Sequence, residues 1–188
     1  MINTHTFIAK LIHWTFIPLY AYGIFKQVDD LDQLDDASFL NFEILFAIVF
    51  LIIVLLRYFY MKNTPTLLGA NDELPKGHLF IAKTVHRLVY FSLIMLPTTG
   101  LLIAGLIYLE TGGIEIAIAL HEFSAFLSYV VIALHVGASL YSRFKGEGLW
   151  NAMVPIWKET QKNNSNLIEK LEAIEKKVFE KVEDKFIK

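Results

Sequence analysis

Six histidines and no cysteine set the chemistry open to this 188-residue chain. Without cysteine there are no disulfides, iron–sulfur clusters, thiolate zinc sites or covalently attached c-type haem. Any redox or metal chemistry rests on imidazole, carboxylate or a non-covalent cofactor. Four histidines, His13, His86, His121 and His135, fall within or at the edge of long apolar stretches. An ionisable group inside a bilayer is expensive, so each marks a candidate site. The ordinary alternative for any single one is a helix-end imidazole bonded to a backbone carbonyl.

Spacing shifts the balance. His121 and His135 are 14 residues apart. At about 100° and 1.5 Å per residue they stand about 40° short of whole turns and roughly 21 Å apart on one helix face. One then lies near each membrane surface, which suits two haems stacked across a bilayer. A hydrolytic zinc pair needs a spacing of three or four. His13, early in the first apolar stretch, and His135, late in the last, reach the same depth and suit an axial pair on one iron. His86 opens the third stretch on that side. Gly100, Gly105, Gly137 and Ala138 let a flat macrocycle approach the backbone, or serve plain helix packing.

The elements that must position these groups are membrane helices. A hydrocarbon core of roughly 30 Å needs about 20 mostly apolar residues. Four segments qualify, at about residues 7–25, 39–61, 79–109 and 114–141. A hydrophobic fraction of 55 % with only 19 % charged residues is more apolar surface than a soluble domain of this size hides. The net charge of −2 and the lack of a basic block with interleaved aromatics set nucleic acid aside. The first stretch holds Lys10, His13 and Pro18 without a small-residue cleavage site, and reads as a retained helix. The fold class expected is all-α: a four-helix transmembrane bundle over residues 1–145, then a cytoplasmic amphipathic helical tail over 146–188.

Loop charge orients the bundle. Asp29, Asp30, Asp32, Asp35 and Asp36 follow the first helix against Lys26 alone, and Glu110 and Glu115 precede the fourth. Arg57, Lys62, Lys76, Lys83, Arg87, Arg143 and Lys145 mark the other side. Positive loops stay inside, so both termini are expected to be cytoplasmic. In the tail, Trp150, Met153, Ile156 and Trp157 share a face interrupted by Pro155, and Asn163-Asn164-Ser165-Asn166 reads as a break and cap. Leu167, Leu171, Ile174, Val178, Val182 and Phe186 then recur at three- and four-residue spacing. That amphipathic helix has three readings: lying on the membrane surface or the bundle, a partner-binding coiled coil, or a frayed tail.

Ile12-His13-Trp14, His86-Arg87-Leu88-Val89-Tyr90 followed by Leu96-Pro97 and Gly100, and His121-Glu122 followed by Leu134-His135 resemble the bacterial cytochrome b561 family in order and spacing. That family includes the membrane cytochrome b subunits of nickel–iron hydrogenases and formate dehydrogenases, and the likeness covers about residues 5–145. The resemblance implies a multi-pass protein of the bacterial inner membrane with two haems b between its helices, exchanging electrons with quinone. It implies His13 and His135 as iron ligands of one haem, and His121 with a helix-two histidine as ligands of the other. This chain has no histidine between Phe25 and Lys76. Counting back from Arg57, which resembles the family's basic residue ending helix two, the ligand position holds Glu43.

Three readings of the outer site follow. It is lost, leaving one haem; or His121 holds haem alone or with Glu43 as sixth ligand or hydrogen-bonded neighbour; or another register or a partner supplies the ligand. A carboxylate ligand would lower the haem potential. Glu43 is otherwise a helix-start residue favoured by the dipole. Lys10, Lys83, Arg87 and Arg57 suit haem propionates, or are ordinary positive-inside residues.

The leading functional reading is a membrane electron carrier whose partners are lipid, quinone and a redox protein on either face. Superoxide:quinone oxidoreduction, an activity of the family, ranks lower, because the outer aspartates repel an anion and the missing ligand is the outer one. As anchor subunit of a dehydrogenase the chain would use its tail for docking. A haem-free ion or proton carrier would gather its histidines and carboxylates at the midplane, whereas these lie near the two faces.

Overall fold

A computed structural model describes residues 5–26, 28, 31–63, 75–147, 149–154, 156–159 and 165–187. All regular structure among the described residues is helical: α1 (Phe7–Phe25), a 3-10 turn (Leu31–Asp35), α2 (Ala37–Lys62), α3 (Lys76–Tyr108), α4 (Ile114–Lys145), α5 (Leu149–Met153) and α6 (Asn166–Phe186). Asp29, Asp30, Pro155, Asn163 and Asn164, on which parts of the loop and tail readings rest, lie outside the described residues.

Local chemistry sets the helix ends. Asp36 is extended and its carboxylate accepts from the Ser38 N–H at 2.8 Å, capping an α2 that has neither glycine nor proline. Hydrogen bonds from the Ser38 N–H and hydroxyl, and from the Phe39 N–H, hold the Asp36 carboxyl below the ordinary carboxylate range. The α3–α4 link turns through Glu110 (φ 50°) and Gly113 (φ 100°), the second a conformation that favours glycine. Ser165 caps α6 by accepting from the Ile168 N–H at 3.3 Å.

Among the described residues, α2, α3 and α4 are long and apolar enough to cross a membrane, and each leaves most of its apolar surface uncovered by the rest of the chain. α1 has the expected bounds but is not among the three: its 19 residues include Lys10, His13 and Pro18. α3 and α4 run beyond the apolar cores expected of them, from Lys76 and to Lys145, because their charged end turns continue the helices past the hydrocarbon stretch.

The chain forms two compact units. One takes in the described residues of Met1–Lys10, Thr64–Leu88 and Val131–Lys188; the other comprises Leu11–Asn63 and Val89–Val130. In the second unit Phe16 of α1 packs on Phe50 of α2 with ring centroids 4.9 Å apart, and Tyr58 of α2 meets Tyr90 of α3 at 5.3 Å. The Tyr20 hydroxyl of α1 reaches Ser128 Oγ of α4 at 2.7 Å. Ser92, Ser124 and Ser128 are fully buried, while Phe91, Phe123 and Phe126 point outward. This is packing suited to lipid: small residues let backbones approach, and their hydroxyls bond carbonyls of their own helices, as with Ser92 to Val89, Ser124 to Leu120 and Ser128 to Ala125.

In the first unit α6 packs on the start of α3 and the end of α4. A Cβ at Gly77 would stand 2.5 Å from the Phe179 carbonyl oxygen, so only glycine admits this approach. The Gly77 N–H, one of the unpaired donors of a first helical turn, donates to Glu183 Oε1 at 2.7 Å. Ring contacts of His78 with Phe179 (4.9 Å) and Phe80 with Phe186 (5.6 Å) flank it. Glu175 accepts from Lys145 Nζ at 2.7 Å and from the Tyr141 hydroxyl at 3.1 Å.

Candidate functional site

The second unit holds a partly open cavity of about 620 Å³, within the size range of cofactor pockets. Its walls are mainly apolar, with Phe46 and Phe50 of α2 and Leu96, Pro97 and Gly100 of α3 among them. The polar side chains on it are Tyr20, Lys26, Glu43, His121, Glu122 and Tyr129.

His121 is the most constrained of these. Pro97 removes a backbone N–H from α3, which disturbs the local helical ladder. The next two hydroxyls bond that turn: Thr98 Oγ1 donates to the Ile94 carbonyl at 2.7 Å, and Thr99 Oγ1 lies 2.8 Å from the Met95 carbonyl and 3.0 Å from that of Leu96. With its single proton given to one of those carbonyls, Thr99 Oγ1, 3.0 Å from His121 Nδ1, is an acceptor for that nitrogen. We assign the Nδ1–H tautomer on that ground, which leaves the Nε2 lone pair as the ligating position. A metal-bound imidazole is ordinarily held in this way through its other nitrogen. Gly100 completes the setting: a Cβ there would lie 3.5 Å from His121 Cε1, so the α3 backbone runs close beside the ring.

Glu43 lines the same cavity, ion-paired with Lys26. The Lys26 ammonium also sits over the rings of Phe42 (4.1 Å) and Phe39 (4.6 Å), and burial lowers its pKa from the ordinary lysine value. Tyr20 is engaged as well, donating to Ser128, whose own proton goes to the Ala125 carbonyl at 2.7 Å.

The other candidates are distributed over both units. His13 and Arg57 belong to the second unit, and His86, Arg87 and His135 to the first. The His13 ring stands edge-on to Trp14 at 6.4 Å. His86 and His135, from α3 and α4, bring their rings to 5.0 Å and 65°. Arg57 faces the Tyr90 hydroxyl, and its Nη1 is buried without a hydrogen-bond partner among the described residues, a setting that suits an anionic group. Arg87 is exposed. Among the described residues no three His, Asp or Glu side chains gather as a ready cation site. A haem, whose porphyrin supplies four donors, asks the protein for one or two imidazoles, and the His121 setting fits that demand.

Sequence reasoning missed Thr99, which fixes His121, and saw Lys26 only as a loop charge. The Pro97-Thr98-Thr99-Gly100 run was the available signal, since hydroxyls after a proline in a membrane helix re-satisfy the disturbed backbone.

Compared with known proteins, residues 4–155 match the family model described as prokaryotic cytochrome b561. No curated protein and no solved structure matches the chain. The family match spans most of the sequence, every motif histidine included, and the chain belongs to the prokaryotic cytochrome b561 family of membrane b-type cytochromes that act in electron transfer.

Proposed function

We propose that this chain relays electrons between a redox partner and the quinone pool, using haem b held in the second-unit cavity by His121. The observation that carries this reading is the imidazole with Nδ1 tied to Thr99 and Nε2 left as donor, beside Gly100 on an apolar cavity of about 620 Å³. When bound, haem b supplies a one-electron iron couple. The residues here do the rest. Thr99 fixes the tautomer and ring plane, and Phe46 and Phe50 supply apolar wall to the cavity. Arg57 lies outside that lining, about 14 residues along α2 from Glu43, and its buried Nη1 suits an anionic group at the other end of the helix. Glu43 is held by Lys26 as an ion pair and serves as a charged neighbour, not as an iron ligand.

A further haem belongs to His13 and His135, a pairing that rests on their sequence spacing and on the family's pattern. The proposed frame is four transmembrane helices over residues 1–145, with α1 as the fourth, shorter member, in a bacterial inner membrane; the loop charges support both termini on its cytoplasmic side. The tail over 146–188 is a docked appendage.

The test is an optical spectrum of the detergent-purified protein with pyridine haemochrome quantitation. Two haems b per chain are expected, falling to one in His121→Ala and losing the low-spin reduced band in His135→Ala. A protein without haem b sinks the redox reading, and a His121→Ala variant with unchanged haem content removes the cavity from it.

A further inference from the structure

We propose that α6 is a two-faced helix whose second face binds an anionic lipid surface. Its first face is spent on the protein: Ile168 is buried, and Glu175, Phe179 and Glu183 hold the end of α4 and the start of α3. Those are the ends of two membrane-crossing helices. α6 is thereby pinned at the level where the bilayer stops.

Leu167, Leu171, Ile174 and Val178 form a second stripe, and they remain 67 %, 40 %, 59 % and 44 % exposed. At about 100° per residue this stripe is centred roughly 105° around the helix from the docked face. Among the described residues the rest of the chain leaves this apolar stripe largely open, although the helix is tied to the membrane spans.

Charge selects the occupant. Continuing around the helix in the same direction, Lys170, Lys177, Lys181 and Lys185 border the stripe, centred roughly 55° beyond it, and all four are exposed. The acids Glu169, Glu180 and Asp184 lie further on, away from the stripe. An apolar strip edged by lysine is the pattern of a helix lying in a headgroup layer, apolar side chains in the acyl boundary and ammonium groups among phosphates. A coiled-coil partner would instead call for both signs of charge along the edges of the strip. Near the same end, Arg143 stacks on Trp157 with its guanidinium 3.6 Å from the ring, and Trp157 packs edge-on to Trp150, aromatic groups of the kind that favour the bilayer interface.

The cysteine-free sequence allows a direct test. Single nitroxide labels are placed through Leu171→Cys, Ile174→Cys, Val178→Cys and, as a water-facing reference, Glu180→Cys. The full-length holoprotein is reconstituted in nanodiscs of phosphatidylcholine with or without phosphatidylglycerol. In discs with phosphatidylglycerol, the ratio of oxygen to nickel-chelate accessibility at the three stripe positions should exceed that at the reference several-fold. It should fall in phosphatidylcholine alone, and in the variant K170E/K177E/K181E/K185E, where each lysine lost weakens the lipid-bound state about fivefold. Stripe positions as nickel-accessible as the reference in anionic discs overturn the proposal. Dipolar broadening between labels also overturns it, because the strip is then covered by a second copy. The comparison of the two lipid compositions needs no charge variant, so a misfolded quadruple mutant leaves the test intact.

Discussion

Replacing Thr99 by valine isolates the contact on which the haem assignment depends. Valine keeps the β-branched shape and removes one hydroxyl, so packing against α4 is preserved while the 3.0 Å bond to His121 Nδ1 is lost. Loss of a hydrogen-bonded supporter behind a metal-ligating histidine weakens metal binding about 10- to 100-fold, which is roughly 1.4–2.7 kcal/mol. The Leu96 carbonyl also faces this imidazole and offers a substitute acceptor, placing the expected loss at the lower end, about tenfold. The direction of the potential follows too. An Nδ1–H that donates makes the imidazole a stronger donor and favours the ferric form, so its loss raises the midpoint potential. A tenfold loss confined to the ferric state corresponds to about 59 mV for one electron. The assay is redox titration of the reduced-minus-oxidised spectrum together with haem retained after dilution, comparing Thr99→Val with Thr99→Ser. Serine restores the acceptor and should behave as the parent protein does. A valine variant with parental haem retention and parental potential would show that His121 is not an iron ligand.

Three further outcomes follow from contacts elsewhere. Gly77→Ala forces a Cβ onto the backbone of Phe179, an overpacking that costs about 1–3 kcal/mol, and should release α6 to trypsin while leaving the haem spectrum unchanged; an equally protected α6 refutes the notch. Lys26→Met leaves the Glu43 carboxylate without its partner and should lower detergent-state stability by about 1–3 kcal/mol, whereas adding Glu43→Gln should restore most of it; additive losses would refute the pair. Tyr20→Phe removes the 2.7 Å bond between α1 and the buried Ser128 and should cost about 0.5–1.5 kcal/mol in thermal unfolding, with no change in haem content; an unchanged unfolding temperature would show that bond to contribute nothing.

The helices were legible because the bilayer imposes them. A run of apolar residues long enough to span must satisfy its own backbone, and the helical run of α2 follows from that rule; its Asp36 cap, read in the sequence only as a loop charge, is a local feature the structure adds. α1 shows the limit: its bounds are readable, but 19 residues holding Lys10, His13 and Pro18 fall outside the set of clear spans. The histidines stand out in the sequence as a set, and Glu43 as a departure from the pattern the family resemblance implies. What could not be read was which groups meet, because helix spacing gives the face of a residue and not its rotation against a neighbour. Thr99 and His121 are 22 positions apart on different helices, and no periodicity links them. The Lys26–Glu43 pair was hidden for a similar reason, since each residue has an ordinary role at a helix end.

That pair also bears on the proposed role of Glu43. An unpaired carboxylate on an apolar cavity wall would be driven toward its neutral acid or toward a cation, because a lone charge is costly in a low dielectric. Lys26 supplies the cation, and the rings of Phe39 and Phe42 hold the ammonium in place. An iron bound at His121 would have to compete with that ammonium for the carboxylate and leave Lys26 unpaired. On the proposed reading, His121 would be the residue of this cavity that holds the haem, with the Lys26–Glu43 ion pair as its charged neighbour. Carbon monoxide provides the check: the dithionite-reduced protein should bind it at one haem, and Glu43→His should abolish that binding by completing a second imidazole. Failure of the parent protein to bind carbon monoxide at any haem would refute the one-sided site.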